Sequence, residues 1–164
     1  MATVVQTIYG TSAAITLSAT GLASDTNLVA GRAGTIITST GAVDYLVSGI
    51  VTTSSTGTAA RQIELWSFVD VSTGYYTGLS TAYTGTDANA TPNQKSNLKL
   101  VQIIPTTANT SVVYAWGPYS IAQVHGGVVP DSWGLYLVHN SCGALNGAAN
   151  TQIFQYVPIT YTSS

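Results

Sequence analysis

The chain has 164 residues and a formal net charge of −2; only 6% of its residues are charged although 45% are hydrophobic. High hydrophobicity with so little charge excludes an intrinsically disordered chain, since disorder needs the opposite balance. Four scattered cations (Arg32, Arg61, Lys95 and Lys99) cannot displace counterions from a phosphate backbone, which excludes a nucleic-acid partner.

In chain order, strand signals dominate. "TVVQTIY" (Thr3 to Tyr9) opens the chain and "AAITLSATGLA" (Ala13 to Ala23) follows, each alternating in part. "DYLVSGIVTTS" (Asp44 to Ser54) is rich in β-branched residues. "RQIELWSFVDV" (Arg61 to Val71) alternates, with Ile63, Leu65 and Val69 on one face and Gln62, Glu64, Trp66 and Phe68 on the other. A strand with aromatics on its partly polar face is either covered on both sides or touches a partner.

"STGYYTGLSTAYTGTDANATPNQKSN" (Ser72 to Asn97) is a long Gly/Thr-rich connection carrying Tyr75, Tyr76 and Tyr83. These tyrosines either cap one open end of the fold or offer contacts to a sugar or protein surface. "NLKLVQIIP" (Asn97 to Pro105) sets Leu98 and Leu100 opposite Lys99, Val101 and Ile103. "SVVYAWGPYSI" (Ser111 to Ile121), "WGLYLVHN" (Trp133 to Asn140) and "TQIFQYVPITY" (Thr151 to Tyr161) complete the strands. Turn clusters such as Ser39-Thr40-Gly41 and Thr84-Gly85-Thr86-Asp87 separate them. About eight short strands with such punctuation predict an all-β, antiparallel β-sandwich of the jelly-roll kind. The length fits one domain, and no apolar run reaches the roughly 18 residues of a spanning helix, so no membrane partner is expected. Nothing at the N-terminus reads as a signal peptide.

Chemistry is hard to find. Both histidines lie in "WGPYSIAQVHGGVVPDSWGLYLVHN" (Trp116 to Asn140). His139 and Cys142 could give two metal ligands, but no second pair completes a tetrahedron, so no metal and no cofactor is expected. Ser132 beside Asp131 lacks a nucleophile elbow. The six acids (Asp25, Asp44, Glu64, Asp70, Asp87 and Asp131) are scattered along the chain, and none is singled out as half of a carboxylate pair held roughly 5–10 Å apart. No catalytic residue is expected and the chain is read as a non-enzyme. "GGVVPDSWG" reads as a corner between strands: Gly126 and Gly127 permit positive φ, Pro130 fixes its own φ, and Asp131 closes the turn. The lone Cys142 leaves the fold without an intrachain disulfide, which fits synthesis in a reducing cytoplasm.

An ordered set of segments carries a resemblance. "LVAGRAGT" (Leu28 to Thr35), "YLVSGIVTTSSTGTAARQIELWSF" (Tyr45 to Phe68), "PYSIAQVHGGVVPDSWGLYLVHNSCGALN" (Pro118 to Asn146) and "IFQYVPI" (Ile153 to Ile159) together resemble small virion structural proteins of tailed bacteriophages. The most specific part is Ser120 to Ala122, then Gly126 to Pro130, Trp133-Gly134 and the strand ending in His139-Asn140. The resemblance implies a jelly-roll-like domain that decorates or cements the capsid surface, made in the bacterial host cytoplasm and carried in the virion. Its implied partners are the phage's major capsid protein and further copies of itself, a trimer in preference to a dimer.

The residues agree with that placement. Residues 1–12 read as an extended N-terminal arm ahead of a sandwich domain at 13–164, and Val4, Val5, Ile8 and Tyr9 are its candidate partner contacts. Modest contacts repeated over a homo-oligomer sum through effective concentration. The competing reading is a glycan-binding module on a tail or head fibre, with Tyr75, Tyr76 and Tyr83 as stacking platforms.

Overall fold

A computed structural model describes residues 4–54, 61–69, 87–89, 95–141, 143–149 and 151–163. Among the described residues it is all-β apart from a one-turn helix and the helical residue Lys95, and every strand pairing is antiparallel. The first sheet runs in the order β1 (Val5–Tyr9), β11 (Gln152–Ser163), β5 (Asp44–Thr52), β9 (Val113–Ser120), with β2 (Ala13–Ala14) also paired to β11. The second runs β7 (Asp87–Asn89), β3 (Ala30–Ala33), β10 (Ser132–His139), β6 (Arg61–Val69), β8 (Lys99–Thr106), with β4 (Ile37–Thr38) on β10.

Alternation in β6 and β10 decides where the core lies. Ile63 and Leu65 join Trp133, Leu135 and Leu137 against Tyr45, Val47, Val51, Trp116 and Phe154 of the first sheet. Tyr45 lies 5.3 Å from Trp133, and Trp133 meets Tyr156 edge-on at 6.1 Å. Each fully buried large side chain of this kind contributes about 1.5–3 kcal/mol. The other face of the same two strands is also covered: Phe68, Tyr136 and Val138 are buried with Ala33 and Leu98 in a second cluster, which Trp66, Leu28 and Ile36 flank. Between the two alternatives left by the sequence for β6, coverage on both faces is the observed one.

Close approach explains two glycines here. Gly134 lies opposite Phe68, and a Cβ there would run into the Phe68 ring. A Cβ on Gly31 would strike the Leu137 carbonyl and crowd the Tyr136 ring, whose hydroxyl donates to the Val29 carbonyl at 2.6 Å.

Three expectations change. Only Ala13–Ala14 of the Ala13 to Ala23 segment is a strand, although Ile15, Leu17 and Ala19 still bury alternately. The Ile15 N–H donates to Phe154 in the first sheet, while the Thr16 carbonyl accepts from Thr35 beside the second. A segment that crosses between sheets cannot sustain a ladder. Leu98 and Leu100 do not share an environment: Leu98 precedes β8 and folds into the second cluster, whereas Leu100 is exposed at the edge of the sheet, where the β6–β8 register slips after Leu65. Finally, the strand expected to end at Ile121 stops at Ser120, which caps a one-turn helix, α1 (Ile121–Val124), by accepting from the Gln123 N–H at 2.9 Å. Gly126 and Gly127, with φ of 82° and 97°, then turn the chain toward β10, as their sequence predicts.

Candidate interaction surface

The five strands of the first sheet carry only one charged residue, Asp44. Its carboxylate is used locally, accepting from the backbone N–H of Tyr45 at 2.7 Å and of Ala122 at 2.9 Å. Cross-strand register then places Ala115, Ile50 and Ile153 in one row of the outer face, Ser48, Gln155 and Ala14 in the next, and Leu46 beside Val157 in a third. Gln155 donates to the Ser48 hydroxyl at 3.2 Å, so the polar row is tied to itself.

Beyond that body β11 keeps going. It pairs with β5 only as far as Ile159, which faces Asp44, and Thr160 to Ser163 then pair with β1 alone among the described residues. The result is a two-stranded ribbon projecting past the sandwich, with every residue of β1 exposed. Tyr9, Tyr161 and Val5 share the face that continues the outer rows, and are 65%, 59% and 64% exposed. Val4 and Ile8 look out on the opposite face. An isolated two-stranded ribbon is at best marginally stable in water, and this one offers apolar side chains on both faces and no charge.

The segment expected as an extended arm therefore contributes an edge strand held by its own chain over Val5–Tyr9. All four of its candidate contacts (Val4, Val5, Ile8 and Tyr9) are brought to this ribbon and exposed. Tyr75, Tyr76 and Tyr83 lie outside the described residues. Sequence reasoning missed Tyr161 and the outer rows. The alternation of "TQIFQYVPITYTSS" held the signal, but only the offset between β5 and β1 along β11 shows which part of it stays uncovered.

The second sheet presents a different outer face. Glu64 is buried and accepts from Gln62 Nε2 at 2.5 Å, from Trp66 Nε1 at 2.9 Å and from the Lys95 ammonium, with which it pairs. Lys95 also donates to the Leu28 carbonyl at 2.8 Å and lies 4.9 Å from the centre of the Trp66 ring. Glu64, Trp66 and Lys95 border an open cavity of about 460 Å³ together with Asn27, Val29 and Leu98. Nearby, the Asp25 carboxylate accepts from the backbone N–H of Asn27, Val29 and Ala30. Burial alone would push its pKa up, but those donors and the Lys95 charge hold it below the ordinary carboxylate value.

Both histidines serve the fold. His139 is fully buried; its Nε2 lies 2.9 Å from the Leu22 carbonyl and so carries the proton, leaving Nδ1 to accept from the Ser141 hydroxyl at 3.0 Å. His125 Nε2 lies 2.9 Å from the Ser67 hydroxyl. That spacing looks like a nucleophile with its base, yet Ser67 has no exposed surface for a substrate to reach, and the pair ties β6 to the end of α1. Burial lowers both histidine pKa values, aided at His125 by the charge of Lys99 and opposed at His139 by its bond to Leu22. Among the described residues no three His, Cys, Asp or Glu side chains gather as metal ligands.

No family model, no curated protein and no solved structure matches this chain. The surface must be interpreted from its own chemistry.

Proposed function

We propose that this chain is a structural virion protein of a tailed bacteriophage that decorates and cements the capsid surface as a homo-oligomer, its two sheets forming a jelly-roll-like body. The observation that carries the reading is the first sheet: its strands carry one charged residue, Asp44, and are extended by a ribbon that exposes Val4, Val5, Ile8, Tyr9 and Tyr161. Exposed apolar surface of that kind marks a protein contact rather than a solvent face. Repetition over a capsid lattice makes a modest contact sufficient, because each further site is met at high effective concentration. The sequence resemblance supplies the virion. The fold supplies the surface.

The test is gold-labelled antibody imaging of the virions that contain the protein. Label spread over the head is the expected result. Label confined to the tail or fibres would replace this reading with the glycan-binding one and bring Tyr75, Tyr76 and Tyr83 to the front.

A further inference from the structure

Among the described residues the ribbon has an unpaired edge, and the strand that forms it, Val-Gln-Thr-Ile-Tyr, carries no charge. β1 is the last strand of the first sheet, so its outer backbone edge has no partner among the described residues. Such an edge is a template for another strand. Its side chains restrict which strand. An ordinary globular chain is about one-quarter charged, and docking one here would strip water from charges that β1, β2 and the end of β11 cannot neutralise. A second copy of the ribbon brings no charge to bury.

We infer that two copies of this chain join edge to edge through β1, antiparallel about a two-fold axis at Thr7. In that register Thr7 meets its own copy, Val5 lies opposite Tyr9 of the second chain, and Gln6 lies opposite Ile8. Thr–Thr and aromatic–β-branched pairs are among the cross-strand combinations that stabilise an antiparallel ladder. The first sheets of the two chains become one continuous sheet, and Tyr9 and Tyr161 of each copy cover the junction on one face. The five exposed apolar side chains of the ribbon present on the order of 500 Å² per chain, against about 800 Å² per partner in a standard interface. The adjoining rows at Val157 and Leu46 and the paired backbone supply the remainder. This inference deepens the homo-oligomer reading and rests on it, but it specifies a two-fold contact where the resemblance implies threefold order.

Sedimentation of the full chain over a range of concentrations, with circular dichroism to verify folding, tests the contact. The wild-type chain sediments as a reversible dimer or an even-numbered assembly of dimers. Tyr9→Lys weakens dimerisation at least tenfold, and Val5→Asp added to Tyr9→Lys restores most of the loss. Rescue within one chain is ruled out by distance, since four residues along a strand span about 13 Å. If the Tyr9→Lys chain does not fold, Thr7→Cys in a Cys142→Ser background forms a disulfide-linked dimer on mild oxidation. A wild-type monomer at high concentration, a trimer, a double variant that stays dissociated, or a Thr7→Cys chain that does not cross-link overturns the inference. Binding to capsids is measured in parallel: capsid binding without dimers removes this contact alone, whereas dimers that ignore capsids remove the cement reading.

Discussion

The two sheets share one core and treat their other faces in opposite ways. The second covers its outer face from within the chain, with Phe68, Tyr136, Val138 and Leu98 buried there and the Glu64–Lys95 pair at the rim. The first leaves Ile153 exposed and Leu46, Ile50 and Val157 half-buried on its outer face, and then extends into a ribbon whose β1 residues are all exposed. One sheet is complete as a monomer. The other keeps apolar residues facing solvent and carries a single charged residue, so a partner laid against it would lose little in desolvation.

If the contrast is correct, damage to the second sheet's outer face costs stability, while damage to the first sheet's costs association. Phe68→Ala, in a ring slot shaped by Gly134, should destabilise the chain by about 3–5 kcal/mol in urea unfolding. A loss under about 1 kcal/mol would mean that this cluster is not a true second core. Lys95→Met leaves the buried Glu64 carboxylate without its counter-charge and should cost about 3 kcal/mol, and the added change Glu64→Gln should recover part of it. The smallest effect belongs to the first sheet. Gln155→Lys on its exposed middle row should alter unfolding by no more than about 0.5 kcal/mol while abolishing capsid binding.

Acid supplies an intermediate case that acts on the shared core and not on either outer face. His125 and His139 both have folded pKa values below the ordinary 6.5, so the unfolded chain binds more protons and stability rises with pH. Their contribution is complete above about pH 6.5 and is lost as the pH falls from there through the folded values. Thermal unfolding followed from about pH 7 to about pH 5 should show a falling midpoint, and an NMR titration should find the His139 ring less protonated than the unfolded chain at about pH 6.5. A midpoint that does not move would contradict the buried neutral histidines.

Long strands with clean alternation were legible from residues alone. Ile63 and Leu65 opposite Trp66 and Phe68 gave the two faces of β6, each of which is buried in its own cluster. Short strands were not legible. β3 is Ala-Gly-Arg-Ala and β4 only Ile-Thr, and both exist because β10 offers them an edge rather than because their residues demand extension. The contact Arg32-to-Ser18, a 2.7 Å bond from Nε to a carbonyl, is likewise invisible until the irregular segment after β2 is placed. At the candidate surface, Val5 and Tyr9 stood out as β-prone residues in an uncharged segment, and both are exposed. Their neighbour Tyr161 depended on how far β11 outruns β5, which is a property of two partners and not of one sequence.

That overrun has a mechanical consequence. β11 is a single unbroken rail, anchored over Gln152 to Ile159 in the body and carrying the ribbon on its far end. A pull on the ribbon along the strand direction loads the β5 and β11 ladder in shear, so its hydrogen bonds must yield together. A peeling force would instead part them one at a time. Tension applied to the ribbon along the strand would therefore meet the ladder in the direction where its hydrogen bonds resist together.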